Sequence, residues 1–190
     1  MLRIVGGKHR GRAVSTPEGL GTRPTANRAR EALFNILAHG SWRSDGASPL
    51  VEARVLDAYA GSGALGLEAL SRGATHATFL DNDPVAIRLI GENLRKLGET
   101  GNAKVVRADA TRPPPAREAC DLLFLDPPYR SGQSAPALAA LDQAGWLAPE
   151  SIVTVELAHN EDIVPPPSFE MIDERRYGAA KIVLLQKKTS

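Results

Sequence analysis

Between residues 26 and 39, Ala29, Leu33, Ile36 and Leu37 recur at i, i+4, i+7 and i+8, a period that predicts an amphipathic helix with Thr25 as N-cap and Gly40 as stop. On that phase Arg28 and Arg30 fall outside the apolar stripe and stay free to meet a ligand. Farther along, strand-sized apolar runs alternate with helical patterns. Strands are predicted at about 53–58, 76–81, 103–107, 120–126, 151–157, 169–177 and 180–187, and helices at about 64–72, 84–97 and 134–145. The helix over 84–97 has the fullest signals: Asp83 caps it, Pro84 opens it, Ala86, Ile90, Leu94 and Leu97 form its stripe, and Gly98 ends it. Such alternation predicts an α/β fold with a parallel sheet covered on both faces. The last two strands, separated only by Tyr177-Gly-Ala-Ala180, should close as an antiparallel hairpin.

The first residues follow another pattern. Ile4-Val5 and Ala13-Val14 flank Gly6-Gly7 and Gly11, which predicts a short β-hairpin. Turn-rich residues 41–52 then divide the chain into an extension, 1–40, and a body, 41–190. The proline runs at 113–115 and 165–167 read as loops.

Composition narrows the class. With 190 residues, 43% apolar and 24% charged, the chain can bury a real core, which excludes a disordered chain or a disulfide scaffold. No apolar run is long enough for a membrane span, and the N-terminus lacks a signal-peptide pattern. The lone Cys120 excludes an intramolecular disulfide and fits a reducing cytoplasm. The net charge of +1 conceals a split: residues 1–30 hold seven Lys/Arg against one acid, and the remaining 160 residues carry a net −5. A basic arm on an acidic body points to a polyanionic partner, and the hairpin pattern favours this over a merely solvated tail. The candidate contacts are Arg3, Lys8, His9, Arg10, Arg12, Arg23, Arg28 and Arg30. If about six of these cations touch phosphate, affinity should fall roughly a thousandfold between 50 and 200 mM salt. Deleting residues 1–22 should then flatten that slope and leave small-ligand binding intact. His39, His76 and His159 are isolated in sequence, so no metal is expected.

Two motifs carry chemistry. Val55-Leu-Asp-Ala-Tyr-Ala-Gly-Ser-Gly-Ala-Leu-Gly66 places Gly61, Gly63 and Gly66 in a G-x-G-x-x-G strand-to-helix turn, where bare backbone can approach a ligand. Asp81, twenty residues after Gly61, is the acid expected to bind a ribose diol, while Asp83 is accounted for by capping. A nicotinamide or an S-adenosylmethionine (SAM) nucleoside would suit these features. Asp57 favours the second, because a carboxylate there repels a pyrophosphate and can pair with an ammonium, although it can also simply tie down the loop. Asp109 is placed to accept from an adenine amine or to close a turn before Thr111.

The second motif, Asp126-Pro127-Pro128-Tyr129, ends the strand Cys120-Asp-Leu-Leu-Phe-Leu at the carboxyl edge of the sheet. Two prolines hold residue 126 extended, so its carboxylate and the neighbouring carbonyls can accept both hydrogens of an exocyclic amine. Tyr129 offers a face for stacking a base. A nucleobase amine is a poor nucleophile because its lone pair is delocalised; acceptors on its hydrogens localise and aim that pair.

Together, residues 56–74 and Asp121-Leu-Leu-Phe-Leu-Asp-Pro-Pro-Tyr129 closely resemble class I SAM-dependent amino-methyltransferases. Arg3-Ile-Val-Gly-Gly, Arg10-Gly-Arg, Arg23-Pro-Thr and Arg28-x-Arg-Glu-Ala-Leu-Phe-Asn35 are similar to the RsmD-like branch, which methylates guanine N2 in bacterial small-subunit (16S) ribosomal RNA. The resemblance implies a Rossmann-like fold with a seven-stranded, mostly parallel sheet and a C-terminal antiparallel hairpin. It implies that Asp57, Gly61 and Gly63 border the methionine part of SAM, Asp81 and Asn82 the ribose, and Asp109 and Ala110 the adenine. Asp126 and Pro127 would grip the guanine amine, with Pro128 completing the catalytic motif, Tyr129 would stack on the base, and the basic arm would hold RNA. The implied partner is small-subunit ribosomal RNA or an assembling 30S particle, met by a cytoplasmic monomer with no membrane or metal. The alternatives are an adenine-N6 methyltransferase, a nicotinamide oxidoreductase and a non-catalytic RNA-binding assembly factor.

Overall fold

The computed structural model describes residues 2–17, 24–40, 42 and 46–189. In chain order the elements are β1 (Leu2–Arg3), β2 (Ala13–Val14), α1 (Pro24–His39), β3 (Arg54–Ala58), α2 (Ala64–Ser71), β4 (His76–Asp81), α3 (Pro84–Leu97), β5 (Ala103–Arg107), β6 (Cys120–Leu125), α4 (Ser134–Gln143), β7 (Leu147–Ala158), β8 (Phe169–Tyr177) and β9 (Ala180–Lys187). The large sheet has strand order β5-β4-β3-β6-β7-β9-β8. Its first five strands run parallel, and β9 lies antiparallel between β7 and β8. The chain winds from β3 outward to β5, then returns to start β6 on the other side of β3. That reversal opens a crevice at the carboxyl ends of β3 and β6, where such folds bind ligands.

Alternation along the strands sorts side chains into two apolar layers. Val55, Phe79, Phe124 and Ile182 face α1, α2 and α3, whereas Leu56, Leu123, Val153 and Val183 face α4. The Asp83 carboxylate accepts the Val85 N–H at 2.8 Å and Gly98 ends α3 in the left-handed conformation, as the sequence predicts.

The N-terminal hairpin forms with very short strands. Leu2 pairs with Val14 and Arg3 with Ala13, and a 3-10 turn over Gly7–His9 connects them. Leu2, Ile4 and Val14 join the apolar layer that holds Phe79 and Phe124, so the arm is packed on the body. The buried Glu68 of α2 accepts the Val5 and Gly6 N–H groups at 2.8 Å each and pairs with Arg72 at 2.8 Å, which compensates its burial. The Arg72 guanidinium lies 5.1 Å from the centre of the Phe34 ring.

Helix α1 departs from the expected phase. It starts at Pro24, which suits the first helical position, so Thr25 lies inside it rather than capping it. Phe34 is fully buried and shifts the stripe to Ala29, Leu33, Phe34 and Leu37. Arg30, one turn before Phe34, is therefore carried into the seam, 8% exposed, and donates to the Arg3 carbonyl at 2.7 Å. The expectation that Arg30 stays free for a ligand is corrected by that burial. Strand β7 also begins four residues early, at Leu147, because an irregular register between Cys120 and Leu122 lets Leu147 pair with Cys120.

Candidate active site

The glycine loop follows β3. Gly61 and Gly63 adopt φ of 55° and 79°, and a side chain at Gly61 would meet only open space. Gly66 instead serves packing, because a Cβ there would come within 2.4 Å of the Phe79 ring; its absence lets α2 pack against β4. Tyr59, at the tip of β3, also has positive φ, 60°, a strained conformation for an aromatic residue. Its hydroxyl donates to Gln133 Oε1 at 2.7 Å, joining the glycine loop to the residue before α4. Burial first, then Asp109 and Asp81, push the Tyr59 phenol up to about 12, so it remains a neutral donor. Tyr59 is a site residue to which the sequence pattern assigned no role; its place between Asp57 and Gly61 was the available signal.

The acids expected along this edge are occupied by backbone. Asp57 is 1% exposed and its Oδ2 accepts the Gly66 N–H at 2.8 Å. Burial, opposed by the Gly66 bond and reinforced by Asp81, pushes its carboxyl up to about 8. Asp81 accepts the Gly61 N–H on Oδ2 at 2.8 Å and the Asp83 N–H on Oδ1 at 2.9 Å, which places Asn82 within the same turn. Asp109 accepts from the Thr111 backbone and hydroxyl at 2.8 and 2.7 Å, and these bonds hold its carboxyl below the usual range. It thus closes the turn that the sequence allowed as its second role. Ala110 beside it is buried in the α4-side layer.

Asp126 follows β6, and its N–H reaches the Ala58 carbonyl of β3 at 3.5 Å. Pro127 is buried, while Pro128 and Tyr129 are exposed. The Tyr129 hydroxyl donates to Glu156 Oε1 at 2.6 Å. Desolvation raises the Asp126 carboxyl well above its ordinary value, and the charges of Glu156 and Asp57 add to the effect. Glu156 was absent from the sequence-derived site; an acid in the apolar run Ile152-Val-Thr-Val-Glu-Leu157 was its signal.

The basic arm lies largely against the body. Lys8 and His9 reach the buried Glu99 at 2.6 and 2.5 Å, and Asn102 donates to the same carboxylate at 2.9 Å. Arg3 donates to the Gly11 carbonyl at 2.7 Å, and Arg12 to the Lys96 carbonyl. Arg3, Arg10, Arg12 and Arg28 are exposed, and Arg23 lies outside the described residues. Cys120 is buried and its thiol is pushed up to about 12 by that burial, as suits a core residue. Among the described residues no group of three or more His, Cys, Asp or Glu could hold a metal, and no helix is long and apolar enough to cross a membrane.

The family described as "Conserved hypothetical protein 95" matches residues 2–186. Ribosomal RNA small subunit methyltransferase D of Escherichia coli strain K12 is 37% identical over 190 residues, covering 98% of this chain and 90% of the relative. The chain belongs to the RsmD family. The protein of the same name from Haemophilus influenzae is 32% identical over 189 residues, with 97% of this chain and 93% of that one covered. A solved Escherichia coli chain superposes with a TM-score of 0.82 at 36% identity, covering 100% of this chain and 99% of that one. In fold alone, the chain also matches N-methyltransferase NodS of Bradyrhizobium japonicum in complex with S-adenosyl-L-homocysteine, with a TM-score of 0.65 at 13% identity and 94% coverage of both. The RsmD family is one of SAM-dependent methyltransferases with a Rossmann-like sheet, and the nicotinamide reading is set aside. The crevice fits that cofactor: a side chain at Gly61 would meet only open space, and Asp81 accepts the Gly61 N–H at the same loop.

Proposed function

We propose that this RsmD-family protein transfers a methyl group from SAM to the exocyclic N2 amine of a guanine in small-subunit ribosomal RNA. The observation that supports it is Asp126-Pro-Pro-Tyr129 at the sheet's switch point, next to the glycine loop and on a chain with a basic arm. When bound, SAM supplies an electrophilic methyl carbon on a sulfonium leaving group. Asp57, Gly61 and Gly63 border its methionine part. Asp81 and Asn82 lie against the ribose, since each Asp81 oxygen has a second lone pair beyond the backbone bond it accepts. Asp109 and Ala110 lie against the adenine.

Asp126 and the Pro127 carbonyl accept the amine hydrogens and aim the nitrogen lone pair at the methyl carbon, while Pro128 keeps this turn rigid and Tyr129 stacks on the base. As the N–C bond forms and the C–S bond breaks, the nitrogen becomes cationic and must lose a proton. Asp126 acts by holding and aiming the amine, and the proton leaves to solvent. The exposed arm cations Arg3, Arg10, Arg12 and Arg28 contact phosphate, joined by Lys8, His9 and Arg23, and segment 1–40 acts as the RNA-gripping extension of a cytoplasmic monomer. The partner is ribosomal RNA alone or within an assembling 30S particle.

Radiolabelled SAM offered together with small-subunit RNA, duplex DNA and bulk protein tests this assignment. Label in the RNA is expected; label in DNA or protein only would overturn it.

A further inference from the structure

Resting on the guanine-N2 reading, we infer that Glu156 is the residue that selects guanine, by accepting the N1–H of the target base while Asp126 and the Pro127 carbonyl hold its N2 amine. Three observations place it. Strands β6 and β7 run parallel with Leu125 opposite Val155, so the next residues on each, Asp126 and Glu156, stand side by side at the carboxyl edge. Alternation puts both on the sheet face of Phe124 and Thr154. The Tyr129 hydroxyl, 2.6 Å from Glu156 Oε1, ties the same carboxylate to the ring proposed to stack on the base.

The chemistry of the edge follows from that placement. Guanine presents N1–H and N2–H2 as neighbouring donors, a pattern that matches two neighbouring sets of acceptors. Adenine presents its amine beside an unprotonated ring nitrogen, and so does cytosine. Either base would set a ring-nitrogen lone pair against the Glu156 carboxylate, a repulsive contact where guanine makes a hydrogen bond. A carboxylate offers about four acceptor positions, so the Tyr129 bond leaves room for the N1–H. One residue would thereby orient the stacking ring and read the base, which separates a guanine enzyme from an adenine enzyme built on the same Asp-Pro-Pro-Tyr turn.

The test uses the full chain, SAM and a small-subunit RNA fragment carrying either guanine or 2-aminopurine at the methylated position. 2-Aminopurine keeps the 2-amine and lacks the N1–H. The wild type should prefer guanine by roughly a hundredfold or more in kcat/KM, because a site built around a donor rejects its absence strongly. In Glu156→Gln the side-chain amide can donate to the bare N1, so the preference should shrink at least tenfold. A wild type that accepts both bases equally, or a Glu156→Gln variant that slows both in the same proportion, would overturn the inference. The second result would reduce Glu156 to a support for Tyr129. Absence of transfer to guanine in the wild type would instead overturn the guanine-N2 reading, and this inference with it.

Discussion

Asn93 donates its side-chain amide to the Ser62 carbonyl, 2.9 Å away inside the glycine loop. The same side chain accepts the Ser15 N–H at 2.8 Å and donates to the Ser15 carbonyl at 3.0 Å. One residue of α3, only 1% exposed, therefore fastens the N-terminal arm and the cofactor loop to a common point.

Replacing Asn93 by Ala should destabilise the protein by about 2–3 kcal/mol, since three buried hydrogen bonds are each worth about 1 kcal/mol. It should also weaken S-adenosylhomocysteine binding, because the Ser62 carbonyl loses its anchor. Urea unfolding and calorimetric titration read the two effects. Lost stability with unchanged affinity would show that the loop holds its shape without Asn93.

The arm's packing alters what its removal should do. Leu2, Ile4 and Val14 are buried and Ser15 is held by Asn93, so deletion of residues 1–22 should impair folding and cofactor binding, contrary to the expectation from charge alone. Point changes isolate the electrostatics. The four exposed arm arginines alone should make RNA affinity fall about a hundredfold between 50 and 200 mM salt. Arg10→Ala with Arg28→Ala should lower the slope of log affinity against log salt by about 1.4–1.8, which filter binding across a salt series measures. An unchanged slope would place the RNA elsewhere.

Asp57 makes a pH prediction. Its folded carboxyl is raised from 3.8 to about 8, so between these values the folded state keeps a proton that the unfolded state has released. Its contribution is fully present below about pH 4 and is lost as pH rises toward 8. Asp57→Asn should flatten the fall in thermal midpoint over that window, leaving the part due to Asp126. If Asp57 ionises to meet the cofactor's ammonium, S-adenosylhomocysteine binding at pH 7 should release most of a proton, seen as a buffer-dependent enthalpy that Asp57→Asn abolishes.

At Asp126, Asn keeps an acceptor oxygen and Ala does not. A hydrogen bond to a charged group is worth roughly 1.5–3 kcal/mol, so Ala should lose about tenfold to a hundredfold more kcat than Asn. Single-turnover methyl transfer separates them, and equal losses would mark Asp126 as an indispensable base.

Much of this was legible in the chain. Apolar runs and punctuation located all seven strands of the large sheet, because burial on both faces leaves a strong signal in strands such as Cys120–Leu125. Asp83 and Asp126 were readable because a following proline fixes the backbone around each. Arg30 was misread because its burial depends on Phe34 and on the Arg3 carbonyl, a partner 27 residues away. The roles of Glu156 and Asn93 were hidden for a related reason: an acid inside an apolar run marked Glu156 as unusual, but what the two residues touch is set by strand register and by packing between distant segments.

The reaction turns on one nitrogen atom. Small-subunit RNA from cells lacking this enzyme, incubated with the protein and SAM, then digested to nucleosides and analysed by mass spectrometry, should contain new N2-methylguanosine. The appearance of N6-methyladenosine in its place would contradict methylation at guanine N2.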